Sequence, residues 1–143
     1  MNEDNIQSQI KLVAFKAVHA EFNVTAKSSD KFDKPKFELQ LSDLLSPTSP
    51  NNLTKVFNIN LLIDIGEELI EIKVVYHTVF QCSTLINEDF LQTDFAKISA
   101  PAIGFPYVRS FISTITIQAG VPPVILPSIN FVQFAANEKR QTS

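Results

Sequence analysis

The chain reads as an α+β domain: four strands forming an antiparallel sheet, followed by helices. Apolar and polar residues alternate in four successive runs between Ile10 and Cys82. After Cys82 the alternation gives way to longer spacings and to proline–glycine punctuation. The size agrees, since 143 residues, 45% of them hydrophobic, suffice for one domain with its own core.

The first run places Ile10, Leu12, Ala14, Val18, Ala20, Phe22 and Val24 on one face. Lys11, Val13, Phe15, His19, Glu21 and Asn23 take the other. Val13 and Phe15 make that second face partly apolar, which predicts a long strand covered on both sides. Thr25 to Lys36 is polar, with Lys and Asp clustered before Pro35, and reads as a surface connection too long for a tight hairpin. Phe37, Leu39 and Leu41 then alternate with Glu38, Gln40 and Ser42 in a second strand. Leu44 to Asn52 carries two prolines and two asparagines and is expected to be a loop. Phe57, Ile59, Leu61, Ile63 and Ile65 mark a third strand. Gly66-Glu67-Glu68 turns the chain into a fourth, marked by Ile70, Ile72, Val74, Tyr76, Thr78, Phe80 and Cys82. Strands three and four form a hairpin.

Beyond them, Asn87 to Lys97 is weakly helical, with Phe90, Leu91, Asp94 and Phe95 at helical spacing. Propensity makes Phe111 to Ile117 a strand. Yet Phe105, Val108, Ile112, Ile115 and Ala119 share one helical face, Pro101 or Pro106 suits a first helical turn, and Gly120 suits a stop. Periodicity alone leaves helix and strand equally open here. Pro122, Pro123 and Pro127 force an extended passage, and Ser128 suits the cap of a last helix carrying Phe131, Phe134 and Ala135. Residues 1–8 and 138–143 are expected to be flexible tails of this single domain.

Composition excludes several function classes. A net charge of −3 and a pI near 5.3 leave no basic stripe for nucleic acid. Met1 to Asn5 lacks the charge and apolar core of a signal peptide, and no apolar run nears the roughly 18 residues of a membrane span. Cys82 is alone, which fits a reducing cytoplasm and a small buried apolar side chain. His19 and His77 sit on alternating strand positions with no Cys, Asp or Glu at metal-ligand spacing, so no metal site is expected. Glu67 and Glu68 form a solvated hairpin tip, and three glycines make no phosphate loop, so neither an enzyme nor a cofactor is expected. Twelve Phe are more than a lone core of this size needs; the surplus points to subunit contacts or a binding groove.

One stretch is more specific than all of this. It runs Phe105-Pro106-Tyr107-Val108-Arg109, then Gly120, then Pro123-Val124-Ile125-Leu126-Pro127-Ser128-Ile129-Asn130-Phe131. This punctuation resembles that of the SecB-like protein-export chaperones, whose members include chaperones of toxin–antitoxin systems. The match covers about a quarter of the chain, and its Arg-to-Gly spacing is one residue longer than the family pattern. The resemblance implies a long helix over Phe111 to Ile117, a short last helix, and a homotetramer built as a dimer of dimers through the long helices. It implies a holdase that grips unfolded polypeptides in a groove. Carried onto this chain, that groove comprises Phe32, Phe37, Leu39, Leu41, Val124, Ile125, Leu126, Phe131 and Phe134, and the competing reading of each is ordinary core. The family's acidic docking sites for the ATPase SecA map to Glu21, with Glu71 as a substitute. Ala17 and Lys73 occupy the other places, so the acidic patch is broken and an antitoxin is an equally apt partner. Ser113, Thr114 and Thr116 suit close approach of a partner subunit. The alternative function is a small-ligand binder without catalysis, which would show one enclosed pocket instead of an open groove.

Overall fold

The computed structural model describes residues 10–26 and 36–142. Strands β1 (Ile10–Ala26), β2 (Lys36–Ser46), β3 (Ser49–Ile65) and β4 (Glu68–Cys82) form one antiparallel sheet in the order β1-β4-β3-β2. β1 and β2 are opposite edges, so no tight hairpin joins them. The β3–β4 hairpin turns on Gly66, whose φ of 65° favours a residue without Cβ.

Two expectations about the sheet need correction. The prolines between Leu44 and Asn52 do not make a loop. Leu44 pairs with Thr54 and Leu45 with Leu53, so both strands run on to a tight turn at Pro47-Thr48. Pro50 is tolerated because it lies at the beginning of β3. Nor does β1 alternate strictly, because its register shifts between Leu12 and Ala14 and again between Ala17 and His19. Each bulge flips the parity that follows it, so Phe15 and Ala17 face the helices while Ala14 does not.

The C-terminal third folds as α1 (Glu88–Leu91), a π-helical turn (Phe95–Ser99), α2 (Ala100–Gln118) and α3 (Phe131–Thr142). Helix wins over strand in α2 because the helical face lands on the sheet: Phe105, Val108 and Ile112 are all buried in one cluster with Phe57, Ile59, Ile72 and Tyr76. Pro101 occupies the first turn, and Pro106 sits inside the helix on its exposed side. Gly120, at φ 83°, ends it. The Gly120 amide donates to Ile117 O at 3.1 Å and the Val121 amide to Thr116 O at 3.2 Å, the paired bonds of a Schellman stop. The last helix is capped by Asn130, whose Oδ1 accepts from the Gln133 amide at 3.1 Å, and not by Ser128. It continues to Thr142, so the expected C-terminal tail is in large part helical. The N-terminal tail lies outside the described residues.

Two local contacts fix how the helices lie. Gly104 rests on β4, where an added Cβ would stand 2.9 Å from Thr78 Oγ1 and 3.2 Å from Thr78 Cβ. The second contact holds the extended passage after α2. Ser113 Oγ donates to Val124 O at 2.9 Å, and Thr116 Oγ1 accepts from the Val124 amide at 3.0 Å. These hydroxyls thus serve their own chain and are not free for a partner subunit. They bond both backbone groups of Val124, as a neighbouring strand would.

Two measurements check this account. Gly104→Ala should cost about 1–3 kcal/mol in urea denaturation, because Thr78 is buried and cannot yield. Thr78→Ala should recover part of that loss, whereas a Gly104→Ala protein as stable as the parent would refute the close approach. Thr116→Val keeps the shape but leaves the Val124 amide without its acceptor, and should cost about 1–3 kcal/mol. Amide exchange at Val124 should rise with it; unchanged exchange there would show that the clamp is idle.

Candidate functional site

A half-buried apolar strip on this fold begins at β2. α2 packs across β1, β3 and β4, which leaves β2 at the margin of the helical layer. Phe37, Leu39 and Leu41 lie two residues apart and point to the helix side, as their partners Leu61, Ile59 and Phe57 do. All three are half-buried against the edge of the core. They form a ledge with one side under the fold and the other in solvent.

The passage between α2 and α3 rims the same core. Clamped at Val124, it alternates as an extended chain does: Val124 half in, Ile125 out, Leu126 in. Ile125 is 75% exposed and Leu126 1%. An apolar side chain held that far into water, between prolines, is displayed by its backbone.

The aromatic residues connect ledge and helices. Phe57 and Phe105 have ring centroids 6.2 Å apart, Phe105 and Phe131 5.6 Å, and Phe131 and Phe134 6.0 Å. The chain of rings runs from the sheet through α2 to α3. Phe131 is only 5% exposed and Phe134 half-buried. The nine residues expected to form the groove therefore separate. Phe37, Leu39, Leu41, Val124 and Phe134 rim the core and Ile125 stands clear of it. Leu126 and Phe131 lie beneath as floor, where the competing core reading describes them. Phe32 lies outside the described residues.

At one end the ledge meets a charged crevice. Lys55 lies on the inward face of β3, between the buried Leu53 and Phe57, and its side chain is 6% exposed. Its Nζ donates to Asp43 Oδ1 at 2.6 Å, directly across the β2–β3 ladder. Leu41, Leu91, Gln92, Lys97 and Glu138 line the same crevice. Burial pushes the Glu138 carboxyl above its ordinary range, Lys55 and Lys97 pull it down, and Asp43 pushes it up. Sequence reading missed this site by beginning the third strand at Phe57. The alternation extends back through Lys55 and Leu53, which would have placed a lysine on the core face.

The opposite face of the sheet carries the expected docking acids. Glu21 pairs with Lys73, and Glu71 with Asn23 and Leu62. Lys36, Glu38, Asn60, Glu71 and Lys73 line one crevice there, so acids and lysines interleave. Ala17 is not on this face: it pairs with Tyr76 and packs against the core.

Other candidates for chemistry stay dispersed. Cys82 is buried, and burial raises its thiol above the ordinary value, away from thiolate chemistry. His77 is lowered by burial and then by Lys16 across the ladder. His19 Nε2 lies 3.7 Å from Glu21 Oε1. Among the described residues no three His, Cys, Asp or Glu stand close enough to share a metal, and no helix is long and apolar enough to cross a membrane.

With that geometry in place, similarity to known proteins is informative. Residues 2–142 match the family described as Preprotein translocase subunit SecB. The protein-export protein SecB of Orientia tsutsugamushi (strain Boryong) is 30% identical over 138 residues, covering 95% of this chain and 73% of that protein. SecB of Neorickettsia sennetsu is 40% identical over 68 residues, which are 48% of this chain and 40% of that one. The matched region thus spans less than half the length of this second relative. In fold, a SecB-like chaperone of Mycobacterium tuberculosis, solved in complex with a ChAD peptide from an antitoxin, superposes with a TM-score of 0.68 at 14% identity. The match covers 88% of this chain and 95% of that one. The chain belongs to the SecB family.

Proposed function

We propose that this protein is a holdase: a single-domain, non-enzymatic chaperone that grips unfolded polypeptides along the β2 ledge. The observation that carries the reading is the ledge itself, an apolar strip on an edge strand, half-buried and left at the margin of the helical layer. Rows of weak apolar contacts, each worth on the order of 1 kcal/mol, hold an extended chain without demanding one sequence. Ile125, Val124 and Phe134 supply the facing rim. The small-ligand alternative is the weaker reading, since the crevices around Lys73 and around Lys55 are lined mainly by charged and polar groups and not by an apolar pocket wall.

Assembly into a homotetramer accords with the rest of the surface. α2 contains one charged residue, Arg109, and exposes Ile103, Tyr107 and Ile117. β1 is a long edge strand that exposes Val13, Phe15, Val18 and Val24. Phe15 and Tyr107, at 4.4 Å between centroids, join the two surfaces. So much uncharged surface on a lone subunit invites association, and two subunit contacts per protomer, one at the helix and one at the edge, make a dimer of dimers. As to partners, Lys73 beside Glu21 weakens any acidic docking face for SecA. An antitoxin segment, such as the relative from Mycobacterium tuberculosis holds, suits the ledge equally well. The lone buried thiol accords with a cytoplasmic location.

The decisive experiment is suppression of aggregation of an unfolded client. Phe131→Ser is a poor probe, because emptying that buried site costs about 3–5 kcal/mol of stability by itself. Leu39→Glu with Ile125→Ser is the better one. The pair should weaken client affinity roughly tenfold or more while light scattering still reports the tetramer. Full suppression by an intact double variant would place the groove elsewhere. In a second measurement, Ile103→Glu with Tyr107→Glu should split the tetramer into smaller species; an unchanged mass would remove α2 from the interface.

A further inference from the structure

Lys55 stands on the core face of β3 between Leu53 and Phe57, with its side chain 6% exposed. Asp43 reaches it from the rim of β2, its own side chain 26% exposed. Replacing a buried pair by apolar residues of similar size is commonly neutral or stabilising, so stability alone does not account for a lysine here. A buried pair does discriminate between arrangements of the chain, and β2 has several to choose from.

The turn between β2 and β3 does not set their register. Ser46 pairs with Ser49 across Pro47-Thr48, but the next pair is Leu45 with Leu53, so Pro50, Asn51 and Asn52 are skipped on the β2 side. On its other side β3 stays in register, since Asn52 pairs with Gln81 of β4 and Thr78 Oγ1 donates to Lys55 O at 3.4 Å. The slack therefore belongs to β2. Without the skipped residues the turn would pair Leu41 with Thr54 and Leu39 with Val56, carrying the ledge to the outer face of the sheet. Burial of the apolar face excludes that arrangement. It does not exclude a slip of two residues, which leaves every side chain on its own face. One such slip sets Phe37 and Leu39 opposite Ile59 and Phe57, and the other sets them opposite Ile63 and Leu61. These neighbours are as apolar as the observed Leu61 and Ile59.

The charges tell the registers apart. In the first slip Lys55 faces Leu41 and Asp43 faces Leu53; in the second Lys55 faces Leu45 and Asp43 faces Phe57. Only the observed register sets the carboxylate directly opposite the ammonium, where Nζ donates to Oδ1 at 2.6 Å. We propose that Asp43 and Lys55 are positioning residues that lock the register of β2 on β3 and so fix where the apolar ledge lies beneath the helices. A slip of two residues would carry Phe37, Leu39 and Leu41 about 7 Å along the sheet, away from their places beside α3 and the Val124 passage. The lock itself stands apart from the groove; only this consequence rests on that reading.

Disulfide trapping on the outer face reads the register directly. Glu38→Cys with Asn60→Cys joins residues that are opposite now. Glu38→Cys with Asn58→Cys, or with Leu62→Cys, joins residues opposite only after a slip of two. Directly opposite residues lie within disulfide reach and diagonal ones at about 7–8 Å do not. With the ion pair intact, only the first pair should crosslink under mild oxidation. In a Lys55→Met, Asp43→Leu background at least one mismatched pair should crosslink several-fold faster, although the protein stays folded with an undiminished urea midpoint. Exchanging the charges, Lys55→Asp with Asp43→Lys, should restore the parent pattern. Mismatched pairs that stay reduced in the apolar background would overturn the lock. Loss of the fold in that background would overturn it too, since the pair would then serve stability. Binding of a permanently unfolded, carboxymethylated protein separates the lock from the groove. Weaker affinity in the slipped variant upholds both, whereas unchanged affinity despite a trapped slip upholds the lock and counts against the groove.

Discussion

The close approach of α2 to the sheet at Gly104 and Thr78 is the contact on which the other positions depend. With no side chain at Gly104, the helix comes near enough for Phe105 to reach both Phe57 of β3 and Phe131 of α3. α3 is therefore positioned at second hand, by a ring that the glycine admits. The Schellman stop at Gly120 sends the chain back along α2, and Ser113 and Thr116 hold Val124 against it. Each step is local, yet together they decide which side of Ile125 meets water.

How much of this the sequence displays depends on whether a feature is periodic or relational. The four strands and the β3–β4 hairpin are legible because a sheet with one buried face forces alternation on Phe57 to Ile65 and Ile70 to Cys82. The bulges in β1 are not legible, since a one-residue slip leaves the composition of the strand unchanged. The turn at Pro47-Thr48 is hidden for the opposite reason: prolines imply a loop, but pairing through Leu44 and Leu45 outweighs them. α2 lies between these cases. Its β-branched residues favour strand, and only burial of Phe105, Val108 and Ile112 along one face settles the matter. The ledge residues are legible as a set. Which of them face solvent is not, because exposure of Ile125 and burial of Leu126 follow from a clamp formed by two hydroxyls elsewhere in the chain.

The distribution of charge divides the surface into parts with different uses. The outer face of the sheet interleaves acids and lysines on β1, β4 and β2 and carries asparagines on β3, which keeps it solvated but gives it no strong field of either sign. The exposed side of α2 has almost no charge at all. The proposed assembly would cover the uncharged side and leave the interleaved charge in water, so the two surfaces would have complementary uses.

The ledge follows a third rule. In the proposed role it must stay apolar, yet it lies on an edge strand, where exposed apolar residues invite indiscriminate pairing. Alternation resolves the conflict on β2 itself: Lys36, Glu38 and Gln40 face outward from the same strand whose other side carries Phe37, Leu39 and Leu41. A segment arriving at this edge meets apolar contacts on one side and hydrated charge on the other, so only the helix side rewards burial. The charged crevice at Asp43 and Lys55 then stops the strip at one end, since continuing across it would strip water from ions already paired. A polypeptide gripped at this proposed surface would be held by a run of apolar contacts with a defined end. That geometry suits retention of an unfolded segment and later release, because no single contact is strong enough to prevent the chain from peeling away one residue at a time.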